Sequence, residues 1–336
     1  MIKNLFLSKK NVKILLKFLK KNWSKSHILT NNRKLLDWMY LNKKKKRYNF
    51  IYISYKKKIS SCLGLIFQNF YIKNNLKKMC WLTMWVSDKN NLSSSGITLL
   101  NYIFKFIKPD YIGTVGCNSM ALKIYKVLGF KVGHMQQYYI KNDKLKKYKL
   151  IKCSKISRYP KSIYNIELSN KSSLLFYFNI KNYLKLEKKF NKNYKYYVNK
   201  FEKNPFYNYT FLLIRENKKI KGFFVARVCS FKNSIALRLV DYFGPNSLLK
   251  KISKPLKNYI VLNKFEYLDF INYGYEKISL EKFGFEKNLF KSSTIIPNYY
   301  EPFKKENIKI LFAIWPSNFK FPIFKADCDQ DRPNII

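Results

Sequence analysis

Apolar residues recur along this chain with two periods, and the switches between them mark out its elements. From Met1 to Trp23, Ile, Leu and Phe return at helical spacing among lysines, and Leu35–Tyr40 reads as a further helical turn. A lysine run, Lys43–Lys46, is a solvated loop. Tyr48–Tyr55 and Ile59–Tyr71 are β-rich runs joined by Lys56–Lys58, which predicts a hairpin. Met79–Val86 is another apolar run. Ser87–Ser95 is polar and turn-forming, and from Gly96 to Ile107 the spacing becomes helical again. Tyr111–Val115 then reads as a strand, Ser119–Leu128 as a helix, and Phe130–Ile140 as a final pair of strands.

The scheme returns after a basic, Pro-containing stretch at Asn142–Lys161. A Lys-rich helix around Ile180–Phe201 precedes strands at Tyr209–Arg215, Gly222–Cys229 and Ile235–Asp241. A helix at Ser247–Leu262, a strand at Tyr267–Ile271 and a helix ending near Phe283 follow, then a tail with two apolar runs. Two landmarks repeat in order. Lys57-Lys58-Ile59 matches Lys218-Lys219-Ile220 at an offset of 161 (220 minus 59), and Gly129-Phe130 matches Gly284-Phe285 at 155 (284 minus 129). Near-equal offsets predict a duplication: a first domain over 1–145, a linker over 146–165 and a second domain over 166–336.

Length agrees, since 336 residues suit two domains of about 150. With 47% hydrophobic residues the chain can fill two cores. The net charge of +48, from 67 basic and 19 acidic residues, would ordinarily indicate a nucleic-acid or anionic membrane partner. Only seven of the 67 are Arg, however, and Lys is accompanied by abundant Asn, Ile, Tyr and Phe, as an A/T-rich coding sequence produces. A nucleic-acid reader draws on Arg for bidentate contacts, so most of the charge reads as compositional background. The six cysteines form no CxxC pair and have only His27 and His134 beside them, which argues against a zinc site and for free thiols. No apolar run reaches the length of a membrane span. The expectation is a cytoplasmic protein without a metal.

The order of strands and helices, with a polar loop between a central strand and a helix, resembles the GCN5-related N-acetyltransferase (GNAT) superfamily. The resemblance rests on Leu63–Phe70 and Trp81–Val86 as central strands, on Val86–Leu100 as the pyrophosphate turn and helix, and on Asn118–Phe130 as the later Asn…Ala…Tyr…Gly-Phe segment. It implies an α/β (α+β) fold of two tandem domains, each a mixed, mainly antiparallel sheet flanked by helices. In that family backbone N–H groups of a glycine-rich turn hold the pyrophosphate of acyl-CoA. Here the turn reads Asn91-Leu92-Ser93-Ser94-Ser95-Gly96-Ile97, with a single Gly and no basic residue. The resemblance therefore offers Val86, Asn91, Ser93, Ser94, Ser95, Gly96 and Ile97 as acyl-CoA contacts, beside a plain N-cap reading of the serines. Tyr125 stands where the family places a phenol that protonates the leaving thiolate. Asn118 would bond the pantetheine arm or cap the next helix.

The second half carries Pro245 in its corresponding loop, Asp241–Ser247, which removes a donor where phosphate would need one. Glu266 is the candidate base for an acceptor amine, with Asp269 nearby; salt bridges to lysines are the alternative. The tail acids Asp327, Asp329 and Asp331 would fall on one side of an extended strand, suiting a cation, an acceptor or a domain interface. The resemblance implies acetyl-CoA or another acyl-CoA as donor and an amino sugar of surface-polysaccharide biosynthesis as acceptor. Two other readings stay open: a FemABX-like transferase using aminoacyl-tRNA, and a non-catalytic scaffold of the same fold.

Overall fold

The computed structural model describes residues 5–55, 58–72, 74–88, 95–153, 166–171, 192–290 and 293–334. The first half begins with β1 (Phe6–Ser8), α1 (Val12–Asn22), α2 (Ile28–Asn31), α3 (Arg33–Tyr40) and β2 (Leu41–Asn42). Then come β3 (Arg47–Tyr55), β4 (Lys58–Ile72), β5 (Asn75–Ser87), α4 (Ser95–Tyr102), β6 (Tyr111–Val115), α5 (Ser119–Val127), β7 (Lys131–His134) and β8 (Gln136–Lys141). The second half holds β9 (Ile166–Lys171), α6 (Tyr194–Tyr197), β10 (Thr210–Glu216), β11 (Lys219–Phe231), β12 (Ser234–Phe243), α7 (Asn246–Leu249), α8 (Ser253–Leu262) and β13 (Tyr267–Tyr273). It ends with β14 (Glu286–Lys287), β15 (Tyr299–Tyr300), β16 (Phe303–Lys304), β17 (Leu311–Trp315) and β18 (Ile323–Phe324). The predicted helix before Phe283 is two short 3₁₀ turns, because Ser279 sits at φ 53 and interrupts the winding.

Two sheets result. The first runs β1-β3-β4-β5-β6-β17-β7 and the second β14-β8-β13-β12-β11-β10-β9. Each has one parallel pair, β5 with β6 and β12 with β13, among antiparallel neighbours. The duplication is visible at atomic detail. In the first hairpin Ile53 pairs with Ser61 and Ser54 with Ile59, leaving Ser60 bulged; in the second Ile214 pairs with Gly222 and Arg215 with Ile220, leaving Lys221 bulged. Gly129 (φ 79) and Gly284 (φ 95) both end a helical turn in the left-handed region, where only Gly is unstrained. After each, a Phe amide bonds five residues back, Phe130 to Tyr125 and Phe285 to Leu280.

Sheet membership does not follow the linear division at residue 145. The expected final strand pair, Phe130–Ile140, is split between the sheets: β7 stays in the first and β8 joins the second beside β13. Met135 alone separates them, too little chain for a two-residue hairpin, so the backbone runs on instead of turning back. In return β17, from the tail, inserts between β6 and β7. A shared core of Phe70, Met79, Trp81, Met135, Ile271, Phe312 and Phe321 lies where the halves meet.

The strongest polar anchor of the second sheet is also buried. Arg238 Nε and Nη2 each donate to Asp269 at 3.0 Å, and Gln137 of β8 adds a third bond at 3.0 Å. Asp269 therefore ties the exchanged strand to its new sheet. Removing one partner of a buried pair leaves an uncompensated charge. Asp269→Asn is expected to cost about 3–5 kcal/mol in denaturant-induced unfolding.

Candidate active site

The parallel pair β5/β6 holds together over three residue pairs, Met79–Tyr111, Cys80–Ile112 and Trp81–Gly113, and then parts. Opposite the opening, Cys62 pairs with Val86 and Gly64 with Thr83, so Leu63 faces both Met84 and Trp85. Met84 takes the left-handed φ of 37 at this bulge, a costly conformation for a non-glycine residue. The bulge also changes faces. Cys80 and Leu82 pack under α4 and α5, whereas Met84 and Val86 pack with α1 and α3, which unbroken alternation would forbid. Trp85 is thereby delivered to the α4/α5 side.

The gap between the parted strands is a cavity of about 240 Å³. Its walls include Leu82–Val86 from β5, Thr114–Asn118 at the end of β6, and Ala121 and Tyr125 of α5. Tyr125 is buried, its ring 5.6 Å from Trp85 and 5.0 Å from Phe130. Burial pushes its pKa well above the ordinary tyrosine value, with the Cys117, Cys328 and Cys80 thiols adding to the shift. It keeps its proton, as a proton donor must.

The sequence matches no protein-family model and no curated protein. Solved structures do share the arrangement. The GCN5-related N-acetyltransferase from Anabaena variabilis ATCC 29413 is 12% identical, over 93% of this chain and 72% of its own, with a TM-score of 0.56. The corresponding enzyme from Kribbella flavida is 7% identical, over 92% and 69%, with a TM-score of 0.51. This chain has the tandem GNAT fold.

Other residues anticipated for donor binding fall around the first GNAT cleft. Asn118 lines it, and its Oδ1 accepts the Ala121 N–H at 2.8 Å, so it caps α5. Val86 is in the wall, and its carbonyl accepts the Ser61 hydroxyl at 3.3 Å. Ser95 and Gly96 open α4, and Ile97 is 44% exposed. Gly96 has a packing reason to be Gly: a Cβ there would lie 2.8 Å from the Trp85 indole nitrogen. Asn91, Ser93 and Ser94 lie outside the described residues.

Glu266 needs correction. Its carboxylate accepts the backbone N–H groups of Lys149 (2.9 Å), Leu150 (2.6 Å) and Ile151 (2.8 Å). It is buried and lines neither this cavity nor the larger one described below. Its work is to fasten the connecting segment to the second unit, not to meet an acceptor amine.

The second GNAT unit has the same parting, after Leu237–Leu268, Arg238–Asp269 and Leu239–Phe270. Its gap is filled by the chain itself. β18 pairs with β13, Lys325 N donates to Ile271 O at 3.0 Å, and Ala326 N donates to Val240 O at 3.0 Å. Phe324 packs into the core beside Phe270. Leu280 takes the place that Tyr125 holds in the first unit, judged by the amide of the following Phe. A short strand and the turn after it close this cleft, and no phenol serves it from the position of Leu280.

Beyond the plug, the tail crosses to the first unit. Cys328 Sγ donates to Leu82 O at 3.5 Å, and Asp329, Gln330 and Arg332 reach the wall of the open cleft. On the other side of this segment lies a cavity of about 450 Å³, lined by Trp38, Phe67, Trp81 and Tyr196 with the amides of Gln68, Asn69, Asn193 and Asn199. The three tail acids do not share one side as an extended strand would place them, because Cys328 has φ 60. Asp327 pairs with Lys192 (2.8 Å), Asp331 with Arg227 (3.1 Å) and Asp329 with Arg332 (3.3 Å). The larger cavity and the tail's role in both units were missed because the partner of an apolar run is not written in its own alternation.

Two stability predictions follow from these assignments. Glu266→Ala strands three amides and is expected to cost at least about 2 kcal/mol in unfolding free energy, read from urea melts. Lys325 is fully buried, and desolvation, helped by Arg238, pulls its pKa from 10.5 down to about 8. Between pH 8 and 10.5 the unfolded chain binds the extra proton, so stability rises with pH through that window and the penalty is complete below pH 8. Lys325→Met should therefore stabilise the protein by up to about 3 kcal/mol at pH 7, and by less at pH 10, in urea melts.

Proposed function

We propose that this chain is an acyl-CoA-dependent N-acyltransferase with a single donor site, the open cleft of the first unit. One observation carries the reading: the equivalent gap of the second unit holds a short strand and turn whose backbone amides bond to both parted strands. Pantetheine likewise carries amides along a narrow chain, and the edges beyond Trp81 and Gly113 offer it the same kind of partners. The serine-bearing start of α4 stands at the outer end of β5, where an anionic group would meet a helix N-terminus. The surplus of lysines adds long-range attraction for a polyphosphate donor.

Tyr125 carries the chemistry in this reading. As the amine adds to the thioester and the C–S bond breaks, the phenol gives its proton to the departing sulfur. Burial among aromatic rings keeps it protonated until then. The acceptor approaches from the larger cavity. Aromatic faces at Trp38, Phe67, Trp81 and Tyr196, ringed by side-chain amides, suit the apolar face and hydroxyls of a sugar ring, which favours an amino sugar.

Calorimetry with acetyl-CoA tests the donor assignment. One equivalent per chain is expected, and either two or none would reject it. Tyr125→Phe should lower kcat by about 10²–10³-fold with donor KM nearly unchanged, because the phenol acts on the leaving group.

A further inference from the structure

The tail supplies more than a plug. Resting on the acyltransferase reading, we propose that Asp329 is the acceptor-side residue of the first unit, holding the incoming amine and taking the proton it releases. Asp329 and Arg332 both line the donor cleft and the larger cavity, so the segment carrying them forms the partition between the two. Among the described residues lining the donor cleft, Asp329 is the one carboxylate. Tyr125 lines the same cleft from α5. A proton acceptor and a proton donor thus border one space, as aminolysis of a thioester requires.

The partition is held firmly on both sides of Asp329. Upstream, Asp327 is locked by Lys192 at 2.8 Å and accepts the Phe324 N–H at 2.8 Å. The buried Lys200 ammonium donates to the carbonyls of Ala326 and Cys328, the latter at 3.1 Å. Downstream, Asp331 is locked by Arg227 at 3.1 Å and by the Tyr209 hydroxyl at 2.6 Å. Cys328, in its left-handed conformation, sets the direction of the residue after it.

Asp329 differs from its neighbours in what holds it. Its ion pair is with Arg332, three residues on in the same segment, at 3.3 Å, and Gln330 Nε2 donates to it at 3.4 Å. Arg332 has other acceptors in Asn334 Oδ1 (2.9 Å) and the Pro333 carbonyl (3.2 Å), so it can yield the carboxylate to the N–H of an incoming neutral amine without being stranded. The other titratable groups acting on this corner are His27, whose pKa falls to about 4 through burial and the Arg332 charge, Tyr40, whose hydroxyl bonds Thr83 at the strand bulge, Tyr299, and the Cys328 thiol, 3.6 Å from Asp329 Oδ1. None of these four lines the donor cleft, where Asp329 is the carboxylate.

The step balances. The neutral amine adds to the thioester carbonyl, its nitrogen becomes strongly acidic, and Asp329 takes the proton. The intermediate collapses by breaking the C–S bond, and the sulfur takes the Tyr125 proton. Exchange with water returns one proton from Asp329 and another to Tyr125, leaving amide and free thiol.

Bromoacetyl-CoA, which places an alkylating carbon where the acyl group would sit, tests the geometry in an Asp329→Cys variant. Cys117 also lines the cleft, so Cys117→Ser is the background. The expected result is one equivalent of label at position 329, formed at least about tenfold faster than with bromoacetamide, as proximity requires, and blocked by excess CoA. Label elsewhere while CoA still binds would overturn this assignment and leave the acyltransferase reading standing. Failure of CoA to bind the wild-type chain would end both. The proton role is read from acetyl transfer to glucosamine. Asp329→Asn should lower kcat/KM about 10²–10³-fold with the affinity for CoA unchanged, and Asp329→Glu should restore part of the rate. An Asp329→Asn enzyme with the wild-type rate would refute it.

Discussion

A parallel strand pair that lasts three residue pairs and then parts is the constraint on which the rest of this molecule depends. Parted strands expose backbone N–H and C=O groups toward a buried gap, and such groups must find partners. The two copies answer this in different ways. The second uses its own tail, which bonds to both edges and adds Phe324 to the core. The first leaves a cleft, narrowed at one wall by the same tail and backed by Tyr125. Openness in one copy and closure in the other come from a single continuous segment, residues 323–332.

Holding that segment in place explains how a chain so poor in acids uses them. Among the described residues, Asp241, Asp269, Asp327, Asp329 and Asp331 are ion-paired and buried along or near the tail's course. Three arginines are similarly committed: Arg227, Arg238 and Arg332 pair with buried carboxylates. Lysine supplies most of the +48 charge, and these three groups suited to bidentate recognition are directed inward.

The duplication was legible because local turn chemistry encodes it. Hairpin bulges at Ser60 and Lys221, and left-handed glycines at 129 and 284, are set by a few neighbouring residues each. Tyr125 and Asn118 are locatable in the chain for the same reason, since one lies in the helix before Gly129 and the other caps its start. The exchange of β8 and β17 was not legible. Each is an ordinary apolar run, and alternation fixes which face is buried without naming the sheet that will bury it. Glu266 shows the limit more sharply. A lone acid at the start of an apolar strand looks like chemistry, yet its three amide partners arrive from more than a hundred residues away in sequence. The tail acids stood out as a cluster, but a non-glycine residue with positive φ between them redirects Asp329, and no propensity announces Cys328 as that residue.

Unequal copies also give the tail two duties that cannot be varied independently. Its backbone is the filling of the second gap, so its course is fixed by bonds to Ile271 and Val240. Its side chains past Ala326 are the partition of the first site, so their placement follows from that course. A change that loosens the filling, such as removing the Lys192 or Lys200 anchors, would move the partition even though neither lysine lines the open cleft. Stability of the second unit and geometry of the first are thereby the same structural variable, which is a reason for a duplicated fold to keep a copy whose cleft is closed.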